Sequence, residues 1–284
     1  MNFTNYILMN NYLSFIRYSL TLTLCVSLLF ACEEREDEAV SPVANNGIPE
    51  ATLNQLRGLG FDVSDIQKQG ENFLVEGDIV LTPTAISNML SSEPVIVNNA
   101  QGEQYRTFNL VSRNLRTIRI RPTSNDSRFL LAIDRAIFNY NQLGLTFNME
   151  RVSSSSSAEI TVRLSSGNSF LGSAGFPTGN GLPWNSITID VSAFSGDDDF
   201  AEQTMTHEIG HCLGLRHSDW YDRSLSCGGQ PVNEENPPSG LGAVGIPGTV
   251  QFDRSSLMNS CGAITSDPSG EFSFYDQVAL QSLY

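Results

Sequence analysis

The 284-residue chain is 40% hydrophobic, 9% aromatic and 17% charged, too apolar to be disordered throughout and long enough for one large or two modest domains. Acidic residues outnumber basic ones 31 to 16, and the resulting charge of −15 repels phosphate backbones and argues against a nucleic-acid partner. The three histidines of the chain all fall between His207 and His217.

Residues 18–31 form an apolar run behind Arg17. About 14 residues suit a signal segment and fall short of the roughly 20 that span a bilayer. The run closes on Leu29-Phe30-Ala31-Cys32, which resembles the lipobox of bacterial lipoproteins, where the cysteine is lipidated and becomes the first mature residue. That resemblance implies a signal peptide over residues 1–31 and an exported lipoprotein held at the outer membrane or cell surface through Cys32. Residues 32–50 open with Glu-Glu-Arg-Glu-Asp-Glu after the cysteine and read as an acidic tether. Export permits disulfides. With Cys25 in the signal and Cys32 lipidated, Cys212, Cys227 and Cys261 remain, an odd number. The favoured pair is Cys227 with Cys261, leaving Cys212 as a small buried helix residue; sequence leaves the other pairings open.

Leu53, Leu56 and Arg57 mark a short helix from Thr52 that breaks at Gly58-Leu59-Gly60. Residues 73–81 read as a strand interrupted by a Gly-Asp turn. The polar stretch 90–105 is the expected boundary between a small N-terminal segment, 51–105, and a larger domain, 106–284. Thr117–Arg121 alternates like a half-buried strand and stops at Pro122. Ser127 is the expected cap of a helix carrying Leu130, Ile133, Ile137 and Tyr140, ended by Gly144. Strands are expected at 145–150, 159–164 and 186–191, and helices at 199–213 and 273–283. The serine run 153–157 reads as a flexible hairpin loop. Mixed helices and strands without regular βαβ alternation predict an α+β fold. Asp197-Asp198-Asp199 reads as a helix start that satisfies free amides and the helix dipole, with a calcium (Ca2+) site the alternative.

The chemistry is concentrated in Thr206-His207-Glu208-Ile209-Gly210-His211-Cys212-Leu213-Gly214-Leu215-Arg216-His217. At i and i+4 on a helix, His207 and His211 project from one face and reach one metal ion. Gly214 can adopt a left-handed conformation, end the helix and return His217 toward the same ion. Three neutral nitrogen ligands suit zinc (Zn2+) and leave a position open for water, whose pKa zinc lowers to about 7. Glu208, about 100° round the helix from His207, borders that position as a general base. Bare His-Glu-x-x-His arises by chance in roughly one chain in a hundred, and the added glycine and histidine lower this to about one in 10⁵.

This segment resembles the extended zinc signature of metzincin metallopeptidases, in the His-Glu-Ile-Gly-His form of the bacterial HEIGH-type family. The resemblance implies a zincin catalytic domain: a twisted, mostly parallel sheet, an active-site helix forming the cleft floor, a methionine turn and a closing C-terminal helix. Met258 in Ser256-Leu257-Met258-Asn259 fits the methionine turn, and residues 274–284 are similar to the closing helix. A further implication is an edge strand and loop near Gly172–Leu182 that pairs with an extended peptide substrate. Ser218 and Ser260 stand where astacin-type members carry glutamate and tyrosine, so astacin proper does not fit. Phe73-Leu74-Val75-Glu76-Gly77-Asp78-Ile79 nevertheless resembles the propeptide motif of astacin zymogens, which implies that Asp78 occupies the open metal position until cleavage within 84–106. The expected function is zinc-dependent hydrolysis of peptide bonds in extracellular proteins or peptides. The alternatives are a silent surface-binding lipoprotein on the same scaffold and a zinc hydrolase of a non-peptide amide.

Overall fold

A computed structural model of the chain describes residues 47–92, 104–230, 242–250, 252–262 and 269–284. The expected signal peptide, most of the tether and Cys32 lie outside the described residues, as does most of the expected boundary stretch, 93–103. No helix among the described residues is long and apolar enough to cross a membrane.

In chain order the elements are α1 (Glu50–Gly58), β1 (Gln67–Gln69), β2 (Asn72–Val75), β3 (Ile79–Leu81), α2 (Pro83–Ser91), β4 (Tyr105–Arg106), β5 (Thr117–Pro122) and α3 (Ser127–Gln142). Then come β6 (Asn148–Arg151), β7 (Ile160–Ser165), β8 (Gly172–Ala174), β9 (Ser186–Asp190), α4 (Asp198–Leu213), α5 (Ser224–Cys227), β10 (Val244–Gly245) and α6 (Phe274–Leu283). Eight strands form one sheet in the order β1-β2-β3-β8-β9-β7-β5-β6, and β4 pairs with β10 in a second. Four pairings of the large sheet are parallel and three antiparallel, so it is mostly parallel, and the mixed α+β arrangement is the one expected.

The two 16-residue helices pack against each other, and α4 also packs against β8 and β9. Phe129, Ile133, Ile137 and Tyr140 line the buried face of α3 and meet Ile118, Ile120, Ile209 and Met258 in the main core. A second cluster belongs to the N-terminal segment: Leu53, Leu56, Phe61, Val75, Ile79, Leu81 and Ile86 pack together and reach Phe176. The segment thus has its own core, and its hairpin β2–β3 extends the large sheet through β8.

Several local expectations change. The cap of α3 is Asp126 rather than Ser127: its carboxylate accepts from the Phe129 amide at 3.0 Å, and Ser127 is the first residue of the helix. The serine run 153–157 is no hairpin, because β6 and β7 lie on opposite sides of β5 and both run parallel to it. The stagger permits so short a link, since β6 pairs with Thr117–Ile120 and β7 with Ile120–Pro122. Helix α2, capped by Thr82 and opened by Pro83, was not among the expected elements. The edge of β8 expected to receive substrate carries β3 instead, with Ile79 beside Ala174 and the Ala174 amide donating to the Asp78 carbonyl at 3.0 Å.

Candidate metal centre

Every residue of α4 from Ala201 to Leu213 is buried. A helix enclosed on all sides has no apolar stripe, so its polar residues need partners in the interior. Asp197 caps its start by accepting from the Phe200 amide, while Asp198 and Asp199 pair with Arg128 and Arg135. These three carboxylates therefore serve different donors, and among the described residues they join no grouping close enough to hold a metal. At the other end Gly214 has φ +105° and a β-carbon there would stand 3.0 Å from the Asn109 carbonyl oxygen. Only glycine meets both demands, and the reversal it makes returns His217 to the helix. The ring centroids of His207, His211 and His217 lie 4.6, 4.9 and 5.3 Å apart in pairs.

Each imidazole is oriented from behind. The Nδ1 of His207 donates to the Leu257 carbonyl at 2.6 Å, that of His211 to the Leu215 carbonyl at 2.8 Å, and that of His217 to Glu76 Oε2 at 2.9 Å. With the proton on Nδ1, every Nε2 carries a lone pair turned inward. Asp78 enters the same space: its Oδ2 lies 3.0 Å from His217 Nε2 and 3.2 Å from His207 Nε2, and its Oδ1 lies 3.9 Å from His211 Nε2. These four ligand atoms fall within 4.8 Å of one another.

Three nitrogen lone pairs and a carboxylate facing one another are all acceptors, and a buried set of that kind is satisfied by a cation. The Nε2 atoms of His207 and His211 and the Oδ1 of Asp78 have no hydrogen-bond partner. The residues present thus fit a bound metal ion. Burial pushes His211 down to about 4, which keeps its imidazole neutral and its lone pair free. Burial acts the same way on His217, but the Asp78 and Glu76 carboxylates outweigh it and raise that group to about 9. Positive charge is therefore favoured at its Nε2, whether from a proton or from a metal.

Glu208 lies beside the histidines with its Oε2 buried and unpartnered. Burial first, and the Asp78 charge second, push its carboxyl well above the usual carboxylate range. Its side chain rests on Gly172 of β8, where a β-carbon would stand 2.7 Å from Glu208 Cγ and 2.8 Å from Cδ. A cleft of about 410 Å³ opens alongside, lined by Phe170, Leu171, Phe200, Thr204, Arg223 and Ser260 among others.

Met258 is fully buried, its thioether against Gly210 of the helix that carries His207 and His211. Its turn is tied down on both sides. The Ser218 amide donates to the Met258 carbonyl, the Ser218 hydroxyl to Asn259, and Asp219 Oδ1 accepts from the Ser260 amide and hydroxyl at 2.9 and 2.8 Å. From behind, Asp276 accepts from the Leu257 amide at 2.8 Å and from the Ser256 hydroxyl at 2.6 Å. Ser218 and Ser260 thus brace the turn. Cys227 and Cys261 are joined by a disulfide, and Cys212 is a buried free thiol.

Sequence reasoning singled out the three histidines, Glu208, Met258 and Asp78, and the structure brings these six together. It missed Glu76, Arg216, Gly172 and Gly210. For Gly210 a signal existed, since glycine inside a helix costs about 1 kcal/mol and so marks a close approach. Nothing local marks Glu76 or Arg216.

A mostly parallel sheet over a buried helix, with three inward-facing histidines and an adjacent glutamate, is the arrangement of a metallopeptidase. The chain belongs to the dual-action HEIGH metallo-peptidase family, whose profile matches residues 73–284. As a peptidase it acts on peptide substrates. Comparison with curated proteins returned no match. Among solved structures the chain is similar to myroilysin, at 13% identity and TM-score 0.43 over 63% of this chain and 98% of that one. A second myroilysin structure aligns at 12% identity and TM-score 0.36 over 68% and 88%. Archaemetzincin from Methanopyrus kandleri aligns at 12% identity and TM-score 0.31 over 59% and 94%.

Proposed function

We propose that the chain is an exported zinc endopeptidase that cleaves extracellular proteins or peptides, with His207, His211 and His217 as metal ligands and Glu208 as general base. The observation that carries this reading is the convergence of three Nε2 lone pairs, each fixed by a donated Nδ1 hydrogen bond, beside an unpartnered buried carboxylate. Bound zinc supplies Lewis acidity, lowering the pKa of its water to about 7 and polarising the scissile carbonyl. The chain's own part is orientation and proton transfer. Glu208 Oε2 takes the proton of the attacking water and returns it to the leaving amine, and the Gly172 backbone holds the carboxylate in place. Met258, packed on Gly210 of the same helix, is the apolar floor of the site.

In the same proposal the segment 51–105 is a propeptide and Asp78 a latency ligand. Asp78 stands among the three Nε2 atoms, and β3 covers the β8 edge along which an extended peptide would add. Cleavage within 84–106 releases that block. Lipidation at Cys32 anchors the mature chain to the membrane. Incorporation of labelled fatty acid that disappears in Cys32→Ala is the expected result, and unchanged incorporation rejects the anchor.

The deciding experiment loads the chain and its Glu208→Ala variant with zinc and presents a mixed peptide library, read by mass spectrometry. Cuts that vanish in Glu208→Ala are expected, with faster onset in Asp78→Ala. A library left intact by every variant, Asp78→Ala included, overturns the proposed peptidase mechanism. Onset unchanged by Asp78→Ala overturns the latency role alone.

A further inference from the structure

The three histidines are not oriented alike. His207 and His211 lean on main-chain carbonyls of the larger domain, Leu257 and Leu215. His217 leans on a carboxylate, Glu76 Oε2 at 2.9 Å, which the N-terminal segment delivers from the turn between β2 and β3. Glu76 is wholly enclosed and is the single non-glycine residue with positive φ, +56°, among the described residues. Such a backbone costs about 1 kcal/mol or more and persists only where the surroundings impose it.

The surroundings are an ion pair with no exposed side-chain surface. Glu76 Oε1 lies 3.3 Å from Arg216 Nη2 and accepts from the Asp62 amide at 3.2 Å. Arg216 is the residue before His217, and its guanidinium donates to the carbonyls of Leu59, Gly60 and Gly242 while stacking on Phe61, 3.9 Å from the ring centroid. Most of these partners lie in the N-terminal segment. A buried arginine with so many specified partners locks the segment onto the loop that carries the third histidine.

From this the geometry points to Glu76 as a positioning residue for His217, so that the segment whose Asp78 blocks the metal position also completes it. The inference rests on the reading of His217 as the third metal ligand. Glu76 faces Nδ1 and Asp78 faces Nε2 of the same ring, separated in sequence by Gly77 with φ +87°. On this inference cleavage within 84–106 frees Asp78 and β3 to move away, while Glu76 keeps its hold on Arg216 and His217. A carboxylate behind a ligating imidazole fixes its tautomer and raises its basicity, and loss of such a partner weakens metal binding about 10- to 100-fold.

The test is the dissociation constant for Zn2+ alone, read by competition with a chromophoric chelator on the full chain, together with the visible spectrum after cobalt substitution. Glu76→Ala is expected to weaken zinc binding about 10- to 100-fold and to shift the cobalt bands, while Glu76→Gln, which still accepts from Nδ1, loses less. Should Glu76→Ala not fold, the double variant Glu76→Met/Arg216→Met removes both buried charges at similar volume and is expected to show the same loss. Leu53→Ala, a cavity in the segment's own core, controls for a purely structural effect: a lower Tm with unchanged affinity and spectrum. Repeating the series in Asp78→Asn separates the contribution of Asp78. Zinc affinity in Glu76→Met/Arg216→Met or Glu76→Ala within twofold of the unaltered chain, with affinity lost in His217→Ala, overturns the role of Glu76 alone. Affinity unchanged in His217→Ala overturns the ligand reading and this inference with it.

Discussion

The Sδ of Met258 lies 2.6 Å from the point where a β-carbon on Gly210 would stand, so the glycine inside the His-Glu-Ile-Gly-His helix is the seat of the methionine turn. Helix propensity favours alanine there by about 1 kcal/mol, whereas overpacking a full core costs about 1–3 kcal/mol. The contact wins. Gly210→Ala is expected to lower stability in urea unfolding. Met258→Ala alone costs about 2–5 kcal/mol, and the double variant should fall short of the sum by about 1 kcal/mol or more, since the smaller side chain makes room. Strict additivity would reject the contact as the cause.

A second glycine governs Glu208, the proposed general base. A methyl group on Gly172 meets the Cγ and Cδ of Glu208, so Gly172→Ala displaces the whole carboxylate while leaving the histidines untouched. Expected is a fall in kcat approaching that of Glu208→Ala, about 10²–10⁴-fold, with zinc retained. Steady-state kinetics beside metal analysis checks this, and unaltered kcat would show that Glu208 relaxes without penalty.

Burial pushes Asp276 up to about 6, although the Ser256, Leu257 and Ser273 donors favour its charged form. Its folded value thus exceeds the unfolded value of about 3.9. The native state holds this proton more tightly, so the stabilising contribution is full below about pH 4 and is lost as pH rises through about 6. Relative to Asp276→Asn, which does not titrate, the chain should lose up to about 3 kcal/mol of stability between pH 4 and 7. Urea unfolding at four pH values measures it; a pH-independent difference would contradict the shift.

Cys227 and Cys261 are 34 residues apart, and closing a loop of that length restricts the unfolded chain by about 4 kcal/mol in the chain-entropy account. Cys227→Ser/Cys261→Ser is expected to lose about 2–4 kcal/mol. Because Ser260, Cys261 and Gly262 line the cleft but are not among the clustered ligand atoms, KM should rise more than kcat falls. Cys212, fully buried, should react with iodoacetamide only after unfolding. Rapid alkylation of the native chain would count against this.

By itself the sequence determined the chemistry that lies within one stretch of chain. His207, Glu208, His211 and His217 are related by helical spacing and one glycine turn, and such short-range geometry is dictated by bond lengths and φ/ψ limits whatever surrounds it. The long helices α3, α4 and α6 and the strands β5, β6, β7 and β9 of the larger domain were legible for the same reason, being set by local periodicity. Only the tertiary structure decided what stands behind and opposite those side chains. Glu76 reaches His217 across 141 positions, Leu257 reaches His207 across 50, and Asp78 reaches His217 across 139. No periodicity encodes such meetings, because they follow from which strands the sheet sets side by side. The pairing of β3 with β8, the burial of Arg216 and the two glycines that admit Glu208 and Met258 are packing outcomes, fixed by shape and by the need to satisfy every buried charge.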